Sequence, residues 1–159
     1  MDEKLIIDVA RLDKEGEDLE GVIDDAVLEL EGGELLHPFA GIRYNLFAQQ
    51  LGTELLVRGS LSQDFDAVCS RCGADFDFTV TVPDFTVSIE VDEKTEFADL
   101  TDELRQSIIL ALPTYPVCRQ DCRGVCSSCG KNLNEGPCTC SHEVRDSRWG
   151  ALDGLLSEK

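Results

Sequence analysis

The sequence predicts an α+β protein: a mainly antiparallel β body with one or two helices, followed by a C-terminal cysteine-rich metal-knuckle segment. Three observations carry this prediction. Between positions 41 and 91, apolar residues alternate with polar ones, the period of strands that keep one wet face. Residues 99–112 switch to apolar spacings of four, the period of a helix. Six of the eight cysteines lie between Cys118 and Cys140, in a stretch with too few apolar residues to pack a core. The chain's 159 residues suit a domain with a small appended module. The division expected is an acidic β-rich body over 1–113, ending in a helix, and a cysteine-rich tail over 114–159.

Taken in order, Leu5-Ile6-Ile7-Asp8-Val9 predicts a short first strand. Asp13 to Asp25 is acidic and interrupted by Gly16 and Gly21, and reads as a loop. Val27-Leu28-Glu29-Leu30 reads as a strand, with a turn at Gly32-Gly33. Ile42, Tyr44, Leu46 and Ala48 then alternate with Arg43, Asn45, Phe47 and Gln49. Gly52-Thr53 marks a hairpin turn, and Glu54 to Leu61 resumes as a strand. Phe76, Phe78, Val80 and Val82 alternate with Asp75, Asp77, Thr79 and Thr81. Pro83-Asp84 breaks that run, and Phe85, Val87, Ile89 and Val91 resume it. Leu100, Leu104, Ile108 and Leu112 make the apolar stripe of the helix; Asp99, Asp102 and Glu103 favour its start, and Pro113 stops it. Trp149, Leu152, Leu155 and Leu156 suggest a short closing helix packed on the body.

Charge narrows the partners. The formal net charge is −18, from 14 basic and 32 acidic residues. It is uneven: residues 1–36 and 64–103 each carry −10, whereas 37–63 and 104–159 each carry +1. Such a body repels nucleic acid and anionic membrane and suits basic proteins. No apolar run approaches the ~18 residues of a membrane span. The start, Met1-Asp2-Glu3-Lys4, lacks a basic region followed by an apolar stretch, so a cytoplasmic protein is expected. In that compartment, eight cysteines point to metal before disulfides.

The cysteines are Cys69, Cys72, Cys118, Cys122, Cys126, Cys129, Cys138 and Cys140. Cys126-Ser127-Ser128-Cys129-Gly130-Lys131 has the form of a tight turn that aims two sulfurs at one cation. Zinc takes four thiolates in a tetrahedron, and Cys138 and Cys140 can close such a site across a short loop. Metal would supply the folding energy that this apolar-poor tail lacks. The eight sulfurs make two four-cysteine sites if Cys69 and Cys72 fold back onto the tail, or one site with four thiols left over. A closed four-ligand site has no open position for water, so a structural ion, not catalysis, is expected. Cys122-x3-Cys126-x2-Cys129 has the spacing of radical-enzyme iron–sulfur sites, but the chain is too short and too β-rich for their barrel. Cys69-x2-Cys72 precedes an alternating strand, not the helix that a thioredoxin-like pair needs. No Gly-rich phosphate loop, nucleophile elbow or zinc-protease helix is present. The expectation is therefore a protein that is not an enzyme and has no small-molecule substrate.

Several features together resemble the bacterial YceD family, named for large ribosomal RNA subunit accumulation. They are Cys69-Ser70-Arg71-Cys72 before acidic strands, Asp99-Leu100-Thr101, Leu112-Pro113 with Pro116-Val117-Cys118, and the run from Cys122 to Asn134. Asp146-Ser147-Arg148 is similar to the family's Asp-Pro-Arg ending, with Ser for Pro. The resemblance covers nearly the whole chain. It implies a role in synthesis, processing or stability of large-subunit (23S) ribosomal RNA, beside a gene for a large-subunit ribosomal protein. It also implies that metal belongs to a subgroup, because other members are poor in the late cysteines. Combined with the charge, this favours ribosome biogenesis through a basic large-subunit ribosomal protein or assembly factor. One alternative is direct, zinc-dependent contact with large-subunit rRNA through Arg71, Arg119, Arg123, Lys131, Arg145 and Arg148. Another is a thiol redox or metal-handling protein.

Overall fold

Three long strands dominate the fold, and their inward residues explain why. The structure, a computed structural model, describes residues 4–30, 35–92 and 94–140. β1 is Ile6–Asp8, β2 Glu17–Ile23, β3 Leu36–Leu51, β4 Glu54–Val68, β5 Asp75–Glu90 and β6 Phe97–Asp99; α1 is Thr101–Ala111. β2 to β5 form an antiparallel sheet in sequence order, and β1 pairs antiparallel with β6. The chain is thus α+β, mostly antiparallel, with cysteine clusters toward its C-terminal end. Ile42, Leu46, Leu55, Val57, Leu61, Phe65, Val80 and Phe85 are buried on one sheet face. Leu100, Leu104 and Ile108 of α1 are buried in the same core.

The helix begins where side chains supply what its first turn lacks. Asp99 accepts from the Thr101 amide at 3.0 Å, and the Thr101 hydroxyl accepts from the Leu5 amide at 3.0 Å. The helix start is thereby tied to the first strand. Arg105 donates to the Leu28 carbonyl and pairs with Glu29 at 3.0 Å, holding the helix against the segment before β3.

Four local expectations are corrected. Residues 17–23, expected in a loop, form β2. Leu19 and Ile23 face inward while Asp18 and Glu20 face out, and the glycines that obscured this period have packing roles. A Cβ on Gly21 would sit 2.6 Å from the Tyr44 hydroxyl, its partner across the strands. Residues 25–28 form a 3-10 turn in place of a strand, because Asp24 accepts from the Ala26 amide and closes the chain locally. β4 runs on past Leu61 to Val68.

The fourth correction is at Pro83-Asp84, which does not end the strand. Gly59 pairs with Phe85 and Leu61 with Val82, so two residues of β5 face one of β4 in a β-bulge. That extra residue changes which positions face inward, from even (Phe78, Val80, Val82) to odd (Phe85, Val87, Ile89), and all six stay on the core side. Gly59 is required opposite the bulge, since a Cβ there would fall onto the Asn45 carbonyl oxygen. The expected closing helix at Trp149, Leu152, Leu155 and Leu156 lies outside the described residues.

The other sheet face is wet and acidic. Asp18 and Glu20 of β2, Asp64 and Asp66 of β4, and Asp75, Asp77 and Asp84 of β5 lie on it. Its two arginines are already engaged. Arg43 forks onto Asp64 at 2.8 and 3.2 Å, and Arg58 lies over the Phe47 ring at 5.4 Å. Asp66 stands directly opposite Asp77, whose proximity raises the Asp66 carboxyl above its ordinary range.

Candidate metal centres

The turn joining β4 to β5 and the chain after α1 bring the cysteines into two groups. Cys69, Cys72, Cys118 and Cys122 form the first; Cys126, Cys129, Cys138 and Cys140 form the second. In each group the four sulfurs lie within 4.8 Å of one another, and no disulfide joins any of the eight. Of the two arrangements left open by the sequence, the structure shows the one in which Cys69 and Cys72 meet the tail.

Both groups start from the same local device. Cys-x2-Cys-Gly occurs twice, ending in Gly73 and Gly130, with φ of 70° and 73°. The Gly73 amide donates to the Cys69 carbonyl and the Gly130 amide to the Cys126 carbonyl, both at 2.9 Å. The Cys69 amide in turn donates to Ala74 at 2.9 Å, and the Cys126 amide to Lys131 at 2.8 Å. The left-handed glycine lets the chain reverse behind the second thiol, so that both sulfurs point to one side. The first group is the better buried: Cys69, Cys72 and Cys122 pack with Phe76 and Val117 in a small core of their own. In the second, Cys126 is buried and Cys129 exposed.

The spacing fits a soft cation. A tetrahedron with arms of about 2.3 Å has sulfur–sulfur edges of about 3.8 Å. Cys69 and Cys122 are 3.9 Å apart, Cys72 and Cys118 3.8 Å, and Cys126 and Cys138 3.5 Å. Each group can therefore hold one metal ion with sulfur ligands alone.

Donors around the sulfurs prepare them for that role. Burial pushes the Cys69 thiol up, but amides of Cys118, Cys72 and Arg71 outweigh it and bring it down to about 6. The Cys129 and Ser128 amides do the same for Cys126, also to about 6. Burial and then the neighbouring thiols push Cys118 up to about 12. Cys140 is pushed up to about 12 by Cys129 and then by burial. The Asn134 side-chain amide brings the Cys122 thiol down despite burial, whereas the Ala74 amide is outweighed by burial and the thiols of Cys69 and Cys122, which push Cys72 up. Within each group, neighbouring thiols are thus pushed in opposite directions.

The basic residues proposed for RNA contact are partly occupied. Arg71 donates to the carbonyls of Gln120 and Cys122, clamping the β4–β5 turn onto the tail. Arg119 donates to Asn134 and pairs with Asp121, and Lys131 donates to the Pro137 carbonyl. Arg123 offers its backbone amide to Asn134. Arg145 and Arg148 lie outside the described residues. Sequence reasoning missed Asn134, although an Asn-x-Asn step between Cys129 and Cys138 is visible in the sequence.

The family described as large ribosomal RNA subunit accumulation protein YceD matches residues 57–156, a stretch that contains all eight cysteines. The chain belongs to the YceD family. This YceD chain is similar to an uncharacterized protein of Mycobacterium tuberculosis and one of Mycobacterium bovis. Each is 33% identical over 126 residues, covering 70% of this chain and 60% of the relative. It is also similar to a chloroplastic protein of Arabidopsis thaliana named large ribosomal RNA subunit accumulation protein YCED homolog 1. That match is 33% identical over 60 residues, covering 38% of this chain and 19% of the relative. The chain spans 60% of the length of the mycobacterial relatives it matches. No solved structure matches it. Among the described residues, no helix is long and apolar enough to cross a membrane.

Proposed function

We propose that this YceD protein is a cytoplasmic, non-enzymatic ribosome-biogenesis factor. It supports synthesis, processing or stability of 23S rRNA by holding a basic large-subunit ribosomal protein or assembly factor. The observation that carries this is the acidic sheet face, where Asp64, Asp66, Asp75 and Asp77 gather while Arg43 and Arg58 are already engaged. A polycation meeting that face relieves the repulsion between Asp66 and Asp77. The family's ribosomal name supplies the setting.

Zinc fills both four-cysteine groups in this proposal. It imposes no geometry of its own and suits four thiolates in a closed, structural site. The ions make the tail a second module, 114–159, clipped to the body 1–113 through the first group.

The test is affinity purification from native cells in low salt, with identification of bound proteins and RNA and elemental analysis of the same sample. Wild-type protein is expected to carry two zinc ions and a basic large-subunit protein, and Asp66→Lys/Asp77→Lys to lose that partner. Tight binding of purified protein to large-subunit RNA alone, unchanged by the charge reversal, would instead favour direct RNA contact. Thiols that cycle between oxidised and reduced states would favour the redox alternative.

A further inference from the structure

We infer that the two four-thiol centres are coupled, and that Asn134 is the positioning residue that couples them. This rests on both groups binding metal, as proposed above. Asn134 belongs to the loop between Cys129 and Cys138, which a metal in the second centre would fix at both ends. Its side chain nevertheless serves the first centre. Its Nδ2 donates to the Cys122 sulfur at 3.3 Å, and its Oδ1 accepts from the Arg123 amide at 2.9 Å. That oxygen also accepts from the Arg119 guanidinium at 2.8 Å. Arg119 and Arg123 flank Cys122 on the arm that carries two of the four ligands of the first centre. Asn132 orients the amide, its Oδ1 accepting from Asn134 Nδ2 at 2.8 Å and from the Asn134 backbone N–H at 3.0 Å.

One side chain thus pins the Cys118–Cys122 arm and donates to a ligand sulfur, but from a loop organised by the other ion. Groups that orient metal ligands are worth 10–100-fold in affinity. If filling the second centre places Asn134, the first centre binds its ion that much more tightly, and the gain is reciprocal. The cargo is a soft, thiolate-seeking divalent cation at both centres.

Cadmium-113 bound to the full chain reports each centre as its own NMR resonance, and Cys138→Ser, which lacks a ligand of the second, assigns them. Competition with a chelator gives each affinity. Asn134→Ala is expected to weaken the first centre about 10–100-fold and leave the second within a factor of a few. Cys138→Ser is expected to weaken the first centre by a similar factor, and the double variant no further than either single one. Asn134→Asp keeps an acceptor for Arg119 and Arg123 but loses the donor to sulfur, so it is expected to weaken the first centre at least as far as Ala does. Unchanged first-centre affinity in Asn134→Ala, wild-type affinity in Asn134→Asp, or losses that multiply in the double variant would each overturn the coupling. Absence of bound cadmium in the wild-type protein would instead overturn the metal assignment on which it rests.

Discussion

Metal uptake by the apo protein is expected to release fewer than four protons per ion at pH 7. The perturbation is addition of zinc to reduced, metal-free protein. Four thiolates must form around each ion, and how many already exist follows from the sulfur geometry. Two unit charges of like sign about 4 Å apart repel by about 4 kcal/mol at an effective dielectric of 20. The sulfurs of the first group sit at 3.8 and 3.9 Å, so thiolates within one group oppose one another and all four do not form before metal arrives. Cys69 in the first group and Cys126 in the second come down to about 6 and are therefore ionised at pH 7, and the Asn134 amide brings Cys122 down as well. Cys118 and Cys140, pushed up to about 12, keep their protons until metal arrives. Below pH 6 the favoured thiolates also protonate, so the count rises and affinity falls more steeply with acid. Calorimetry in buffers of different ionisation enthalpy counts the protons directly. A count near four per ion at pH 7 would mean ordinary, unprepared thiols, and would refute both the amide donors and the close sulfur packing.

Other expectations test the body and the difference between the centres. Phe65 is fully buried and stacks on Phe78 with ring centroids 5.7 Å apart, so Phe65→Ala should cost about 3–5 kcal/mol in urea unfolding. Asp77→Asn should raise stability at neutral pH. Asp66, held above its unfolded range by Asp77, opposes folding once ionised and ceases to do so as pH falls below the carboxylate range. Thermal melts of Asp77→Asn should therefore exceed wild type at pH 7 and match it near pH 3. Release of zinc to a coloured chelator should be biphasic, with one equivalent each. Cys129→Ser should remove the faster phase, since only that cysteine is exposed.

The sequence revealed most where one physical signal dominated. The alternation from Ile42 to Ala48 and from Phe76 to Val82 needed only one wet and one dry face, and the helix needed only its stripe and Pro113. β2 was hidden because its small residues answer large ones on another strand. Gly21 is small to leave room for Tyr44, a fact about register that local pattern does not contain. Pro83 read as a break because a proline removes one N–H. It takes the pairing of Gly59 with Phe85 and Leu61 with Val82 to show that the strand passes through it. At the metal centres, the sulfurs were legible as chemistry but not as partners. Cys69 and Cys122 are 53 positions apart and meet only because two strands and a helix return the chain to the β4–β5 turn. The role of Asn134 was hidden for the same reason, since its partners are set by the tail's path.

The bulge has a consequence beyond keeping Phe85 on the core side. β5 is the last strand of its sheet, and a long outermost strand invites another chain to zip onto its open backbone. Pro83 has no N–H to offer, and the extra residue kinks the ribbon midway, so a visiting peptide finds its hydrogen-bond ladder interrupted. The role proposed above, holding a cationic client, would gain from this. Such a client would be gripped by side chains, which let go when salt competes, and not through main-chain pairing that seeds insoluble aggregates.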